Sequence, residues 1–405
     1  MNHSGIEKNI PFFASLLIGA WLLGLAGESI YGPAMPAIAT GLETTATLVK
    51  LTITFFILGK TISMLLCSPI AEAFGRRQFI LFGLFLFIMG GLICTLSPGI
   101  HTLLIGRLIQ GFGCSITILM GRAVVNDNFE SRSAARVFSY IFTGNAIGIF
   151  LLPVLGGYMA TYLNWRWIFL LLTAYGSLIF VLIWWFLPQT NAKSNFGSLK
   201  PAVILSNYKT IISNSQFWGF TLCVAFMMAG EKAYTTSSAF LFISVMGLSK
   251  VSYGYLTAVM WGAHLSGTLL AGWMAFKSGI HRAFAIGIVL ISIAALAMLG
   301  IGLAKSNNIY AFIPAMFIYM LGTGFIIVPA AVGIVTPFPR LIGFATAFAM
   351  VLEFAVASAI SFFISSHSSS FIPLEKSIGI MGILTLLAWV FLLRKTWIRD
   401  FFKTN

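Results

Sequence analysis

Ser68-Pro-Ile-Ala-Glu72-Ala-Phe-Gly75-Arg76-Arg77 is a short polar turn between two long apolar runs, at about 48 to 71 and 79 to 97. Far downstream, Gly272-Trp-Met-Ala-Phe-Lys277-Ser-Gly279 closes another apolar run with the same seven-residue offset to its final glycine. A turn that recurs at the matching place in a second set of runs reads as a duplicated helical bundle whose second copy is worn. Outward from the first turn, apolar runs predict helices at about 12–36, 48–71, 79–97, 101–124, 136–161 and 167–187. A second six is predicted at about 214–242, 250–276, 282–304, 309–335, 341–365 and 374–395. The predicted fold is therefore all-α and integral to the membrane, with twelve transmembrane helices in two pseudo-symmetric six-helix bundles. Residues 1–187 form the first bundle and 214–405 the second, and the polar stretch 188–213, with Lys193, Lys200 and Lys209 among Asn and Ser, is a cytoplasmic linker.

Composition supports that class. Of 405 residues 59% are hydrophobic and 8% charged, against roughly 45–50% and about 25% in a soluble domain. A net charge of +14, from 24 bases and 10 acids, points to nucleic acid in a soluble protein but is read here by side of the bilayer. With the N-terminus inside, sixteen bases fall in inner segments and five (Lys50, Arg166, Lys250, Lys305, Lys376) in outer loops, while Lys60, Arg107 and Lys232 lie within spans. That bias predicts a multi-pass membrane protein with both termini cytoplasmic, and a lipid bilayer rather than nucleic acid as its surroundings. The apolar run from Phe12 is too long for a signal peptide and lacks a small-residue cleavage site, so the first span is expected to stay. Cys67, Cys94, Cys114 and Cys223 lie in apolar runs without CxxC spacing, which predicts packing roles, no disulfide framework and no metal.

Enzyme and pump chemistry find no footing. Neither HExxH nor GxSxG occurs, and Gly59-Lys60-Thr61 ends like a P-loop but has Thr54 where the first glycine must stand. The chain reads as a non-enzyme with no cofactor. Two related bundles joined by a linker predict alternating access rather than a channel.

Four segments resemble the major facilitator superfamily, and within it the twelve-helix drug:proton antiporter branch of the bicyclomycin/chloramphenicol resistance type. Ser68 to Arg77 is similar to motif A, with Ser68 for its Gly, Glu72 for its Asp and Ala73 for an Arg. Arg107-Leu-Ile-Gln110-Gly111 is similar to motif B of the fourth helix. Gly144, Gly148 and Pro153-Val-Leu-Gly156-Gly157 resemble motif C, the fifth-helix antiporter signature, with Leu152 where a Gly is usual. Trp165-Arg166-Trp167-Ile-Phe169 matches the opening of the sixth helix. The resemblance implies a conformational gate of Glu72, Gly75, Arg76, Arg77 and Asp127, in which Arg76 pairs with Asp127 at the end of the fourth helix. It places Glu72 toward the positive N-terminus of the eleventh helix, near Arg340 to Gly343. The competing reading is that Arg76 and Arg77 only set orientation. In motif C, Gly and Pro let a helix bend and approach its neighbours closely.

Ionisable groups inside spans are functional candidates, because each costs at least about 2.5–3.5 kcal/mol at a helix centre. They are Glu28, Lys60, Arg107, Glu231, Lys232 and Glu353. At about 1.5 Å per residue, Glu28 lies about 12 Å and Arg107 about 9 Å from the outer side, so the two meet if both face the cavity. Glu28, Arg107, Glu231 and Glu353 are the proton-coupling candidates. Glu28 reads as proton carrier, as structural partner of Arg107, or as substrate counter-ion; it stands one residue before Ser29, where the nearest subfamily usually has an Asp. Glu231 and Lys232, being adjacent, are expected on different helix faces. Substrate-cavity candidates are Tyr31, Lys60, Asn145, Tyr234, Trp261 and His264, with packing as the alternative for the aromatics and a plain hydrogen-bonded contact as the alternative for His264.

With the residues, the resemblance implies a monomeric, proton-coupled efflux transporter of small amphiphilic compounds in a bacterial inner membrane. The alternatives are a transporter of an anionic or zwitterionic metabolite such as a carboxylate siderophore, because Lys60 and Arg107 share one half, and a non-transporting sensor on the same fold.

Overall fold

The computed structural model describes residues 10–71, 76–128, 131–187, 201–304, 309–339, 341–367 and 370–393, and these are helical apart from short connections. Helix α1 (Ile10–Ser29) leads through a 3-10 turn, Gly32–Ala34, into α2 (Met35–Gly41). The break follows from Pro33 and Pro36, which have no N–H to continue the ladder. The first unit continues with α3 (Ala46–Ala71), α4 (Arg76–Thr95), α5 (Ile100–Asn128), α6 (Ser131–Tyr162) and α7 (Arg166–Phe186). Then come α8 (Pro201–Ile212), α9 (Ser215–Ala239, prolonged by a π-helical turn Phe240–Val245), α10 (Lys250–Ser278), α11 (Ile280–Leu303), α12 (Ile309–Val335) and α13 (Ile342–Ser366). The last helix is α14 (Phe371–Ala388), which ends in a π turn, Trp389–Leu393.

Each of the twelve predicted runs coincides with one of these helices, the first with α1 and α2 together. Among the described residues, ten helices are apolar enough by length and composition to cross a membrane, or eleven when α8 and α9, bent by 83°, count as one span. Helix α10, with 29 residues, is long enough but falls outside that set because Ser, Thr, Gly and His interrupt its apolar surface. Within the stretch read as linker, residues 188–200 lie outside the described residues, and Pro201–Ile212 is a helix rather than a featureless connection. Its Tyr208 ring packs on Phe344 and Phe348, with centroids 6.1 and 5.1 Å away.

Helix ends follow local chemistry. Asn214 caps α9 by accepting from the Phe217 N–H at 3.0 Å. Gly279, at φ 88°, turns the chain between α10 and α11 in a conformation that favours glycine.

Contacts divide the chain into two units: Met1–Ile204 with Leu248–Ala258, and Leu205–Gly247 with Val259–Asn405. The first turns of α10 thus pack with the first unit. In that unit α3 and α5 lie backbone to backbone, since a Cβ on Gly59 would strike the Leu108 carbonyl and one on Gly111 the Phe56 carbonyl. Small residues at a helix crossing give van der Waals contact where lipid supplies no hydrophobic drive.

Candidate functional site

The first unit carries a buried polar cluster where α1 ends. Because the helix stops at Ser29, the Gly27 carbonyl loses its partner in the following turn. Arg107 of α5, fully buried, supplies one: its Nη2 donates to Gly27 O at 2.8 Å and its Nη1 to Gln110 Oε1 at 2.7 Å. The guanidinium lies 4.2 Å from the Phe56 ring centre and 4.8 Å from that of Tyr31, in the range of cation–π attraction. Tyr31 is held in turn. Thr52 Oγ1 gives its proton to Val49 O at 2.6 Å, so the Tyr31 hydroxyl donates to Thr52.

Beside this cluster, Lys60 Nζ of α3 donates to Glu28 Oε1 at 2.6 Å, and both side chains are largely buried, at 8% and 16% exposed. The sequence paired Glu28 with Arg107. The structure pairs it with Lys60 and sets Arg107 on the carbonyl of the residue before. Depth along the helices was right, but the partner is set by rotation about α1, where one residue turns about 100°. Lys60, expected to line a cavity, is here an ion-pair partner, and Tyr31 supports Arg107.

In the second unit Glu231 and Lys232, expected on different faces, form an ion pair at 3.2 Å with both side chains 6% exposed. Their Cβ atoms do diverge, but both side chains are long enough to fold back on each other. His264 Nδ1 is 2.7 Å from Thr323 Oγ1, and that hydroxyl donates to Met320 O at 2.6 Å, so His264 Nδ1 carries the proton between them. Trp261 meets the His264 ring edge-on at 5.5 Å. Tyr234 is buried, its ring 6.4 Å from that of Phe312, and Glu353 is buried on α13. Asn145 spends its amide on Ile141 O of its own helix at 3.0 Å.

Of the gate, Glu72 and Gly75 lie outside the described residues, as does the side chain of Asp127. Arg76 opens α4. Arg77 donates to Trp184 O and stacks 5.6 Å from the Trp184 ring, tying the start of α4 to the end of α7. Along motif C, Cβ atoms on Gly144, Gly148 and Gly156 would press on Ile18, Leu22 and the Ile30 carbonyl, so these glycines seat α6 on α1. Gly157 and Pro153 face the start of α10, at Lys250 and Gly254. Two bases counted as outer-loop charges prove to be caps. Lys250 Nζ donates to Ala160 O at 2.7 Å, and Arg166 Nη2 to Ser97 O at 2.9 Å.

Among the described residues no group of three or more His, Cys, Asp or Glu is placed to hold a metal. Cys94, Cys114 and Cys223 are free and buried, while the Cys67 side chain lies outside the described residues.

Residues 16–362 match the Major Facilitator Superfamily model. An uncharacterized MFS-type transporter of Bacillus subtilis is 30% identical over 81% of this chain and 82% of its own length. Multidrug resistance protein D of Escherichia coli is 25% identical over 83% and 84%. A bicyclomycin resistance protein homolog of Haemophilus influenzae is 25% identical over 56% and 58%. The E. coli xylose transporter XylE, solved in a partially occluded inward-open conformation, superposes with a TM-score of 0.73 at 14% identity, covering 95% of this chain and 98% of that one. These relatives are transporters and not enzymes, and the helices described above are those of a multi-pass membrane protein. The chain belongs to the major facilitator superfamily.

Proposed function

We propose that this transporter exports small amphiphilic compounds against protons by alternating access, and that Glu28 carries the coupled proton. The observation that carries this reading is the buried Glu28–Lys60 ion pair inside a span. Such a pair has two defined states. Ionised, the carboxylate compensates the ammonium; protonated, it leaves Lys60 to seek another partner. A substrate acceptor group that reaches Lys60 competes with the carboxylate, so substrate and proton exclude one another, as antiport needs. The names of relatives, which include a bicyclomycin resistance homolog and a chloramphenicol resistance protein, support a drug-like substrate.

The anionic or zwitterionic reading draws on the same Lys60. It is the weaker one, because Arg107 already spends two of its donor atoms on Gly27 and Gln110. Expression in an efflux-deficient host should raise tolerance to amphiphilic antibiotics, and a protonophore should abolish the gain. Tolerance only to metal chelators or organic acids would favour the second reading.

In the membrane, we place both termini and residues 188–213 on the cytoplasmic side, with a monomer as the working unit. In this arrangement Arg76 and Asp127 latch the cytoplasmic side. In a variant whose native cysteines are replaced, Asn195→Cys should stay unlabelled by an impermeant maleimide in intact cells and label after permeabilisation. Strong labelling in intact cells would reverse the topology.

A further inference from the structure

Glu375 is the buried acid that a reading of span centres passes over. It lies in the second turn of α14, about 6 Å from the helix start at about 1.5 Å per residue, and is 0% exposed. Among the described residues neither of its carboxyl oxygens has a hydrogen-bond partner. The wall around it is tight: a Cβ on Gly302 would lie 3.2 Å from Glu375 Cβ and 3.5 Å from its Oε2.

Three features of the surroundings disfavour a carboxylate here. First, among the described residues no cation answers it. Lys376, the next residue, forms no ion pair with it, and Lys305 lies outside the described residues. Of the titratable groups on helices packed against α14, His281 and Arg282 sit at the opposite end of α11, while Glu231 and Lys232 pair with each other on α9 beside Tyr234. Glu353 lies on α13, His367 follows its end, and Cys223 of α9 donates to Thr385 O, ten residues farther along α14. Second, Gly302 is in the last turn of α11, so the negative end of that helix dipole lies against the carboxyl. Third, the N-terminus of α14 gives little help, since its favourable field fades within the first turn and Ser370 already caps the Ile372 N–H. An ionised carboxylate without partners in such a place is costly, and a buried acid of this kind neutralises instead.

We propose that Glu375 is a second proton-binding site of this chain, in the second unit and separate from Glu28, occupied in the conformation described here. It unloads only when the contact between α14 and the end of α11 loosens and water enters. The carboxyl O–H bond then breaks, its electron pair stays on the carboxylate, and the proton passes to water. The site is independent of the Glu28 reading, and its test separates the two.

Infrared difference spectroscopy on purified, lipid-reconstituted protein at neutral pH reads the carbonyl stretch of protonated carboxyl groups. The wild type should show a band that is lost in Glu375→Gln and in Glu375→Leu, and kept in Glu28→Gln. The Gln variant substitutes a neutral near-isostere and the Leu variant an apolar group of similar size, so at least one should fold and melt no lower than wild type. A wild type without the band, a band that survives in both variants, or failure of both variants to fold would overturn the proposal. Loss of the band in Glu28→Gln alone would move the bound proton to Glu28.

Discussion

Glu28→Gln protein should bind substrate yet release no protons on binding it, and vesicles containing it should fail to accumulate substrate against a gradient. An amide has the shape and charge of the protonated acid, so the variant is fixed in one of the two states that the Glu28–Lys60 contact at 2.6 Å allows. Coupling between proton and ligand in such systems is typically about 5–150-fold in affinity, and the pH dependence of binding should lose all of it. Substitution also leaves the Lys60 ammonium without its carboxylate, which by itself destabilises a buried site. The control is Glu28→Gln with Lys60→Met: if the fold recovers in the double variant while coupling stays lost, the two effects are separated. Proton release undiminished in Glu28→Gln, measured in weak buffer, would remove Glu28 from the coupling role and turn attention to Glu231 and Glu353.

Arg107→Ala should be the most destabilising single change in the first unit. It strips the Gly27 carbonyl and Gln110 Oε1 of charge-assisted donors and leaves the faces of Phe56 and Tyr31 without their cation. Leaving two buried acceptors without donors costs about 1–3 kcal/mol each, so thermal melting in detergent should fall sharply and membrane yield with it. Arg107→Lys should recover only part of this loss. A single ammonium lacks the planar fork that reaches two acceptors and stacks on rings at once. Arg107→Lys melting with the wild type would show that charge alone, not geometry, is what the site requires.

The fold was legible because a bilayer admits few solutions. Every apolar run of about 20 residues has to become a helix that satisfies its own backbone, and the runs from Phe12 to the end of α14 did so. Helix α8 was not legible, since twelve residues of mixed polarity give no signal long enough to separate helix from linker. The residues of the first-unit cluster were also visible one by one, as ionisable groups in oil. Their pairing was not, because it depends on rotation about each helix axis and on which carbonyl the end of α1 leaves open, and neither has a sequence period. Glu231 and Lys232 misled for a related reason: a helical wheel places Cβ atoms, not the ends of long side chains. Glu375 was missed because it follows Pro373 and precedes Lys376 near the start of a run, where charge normally marks a loop.

The carbonyl of Gly27 also has a history within the life of the molecule. It is made some eighty residues before the arginine that satisfies it, and Lys60 likewise follows Glu28 by 32 residues. During synthesis the first helix enters the bilayer with both its acid and its open carbonyl unanswered, conditions that lipid tolerates poorly. The nascent chain must therefore keep that end near water or within the insertion machinery until the second span has brought Lys60 into place and the fourth has delivered Arg107. Assembly of this half is ordered by its chemistry: α1 arrives first and is the last of these helices to be finished.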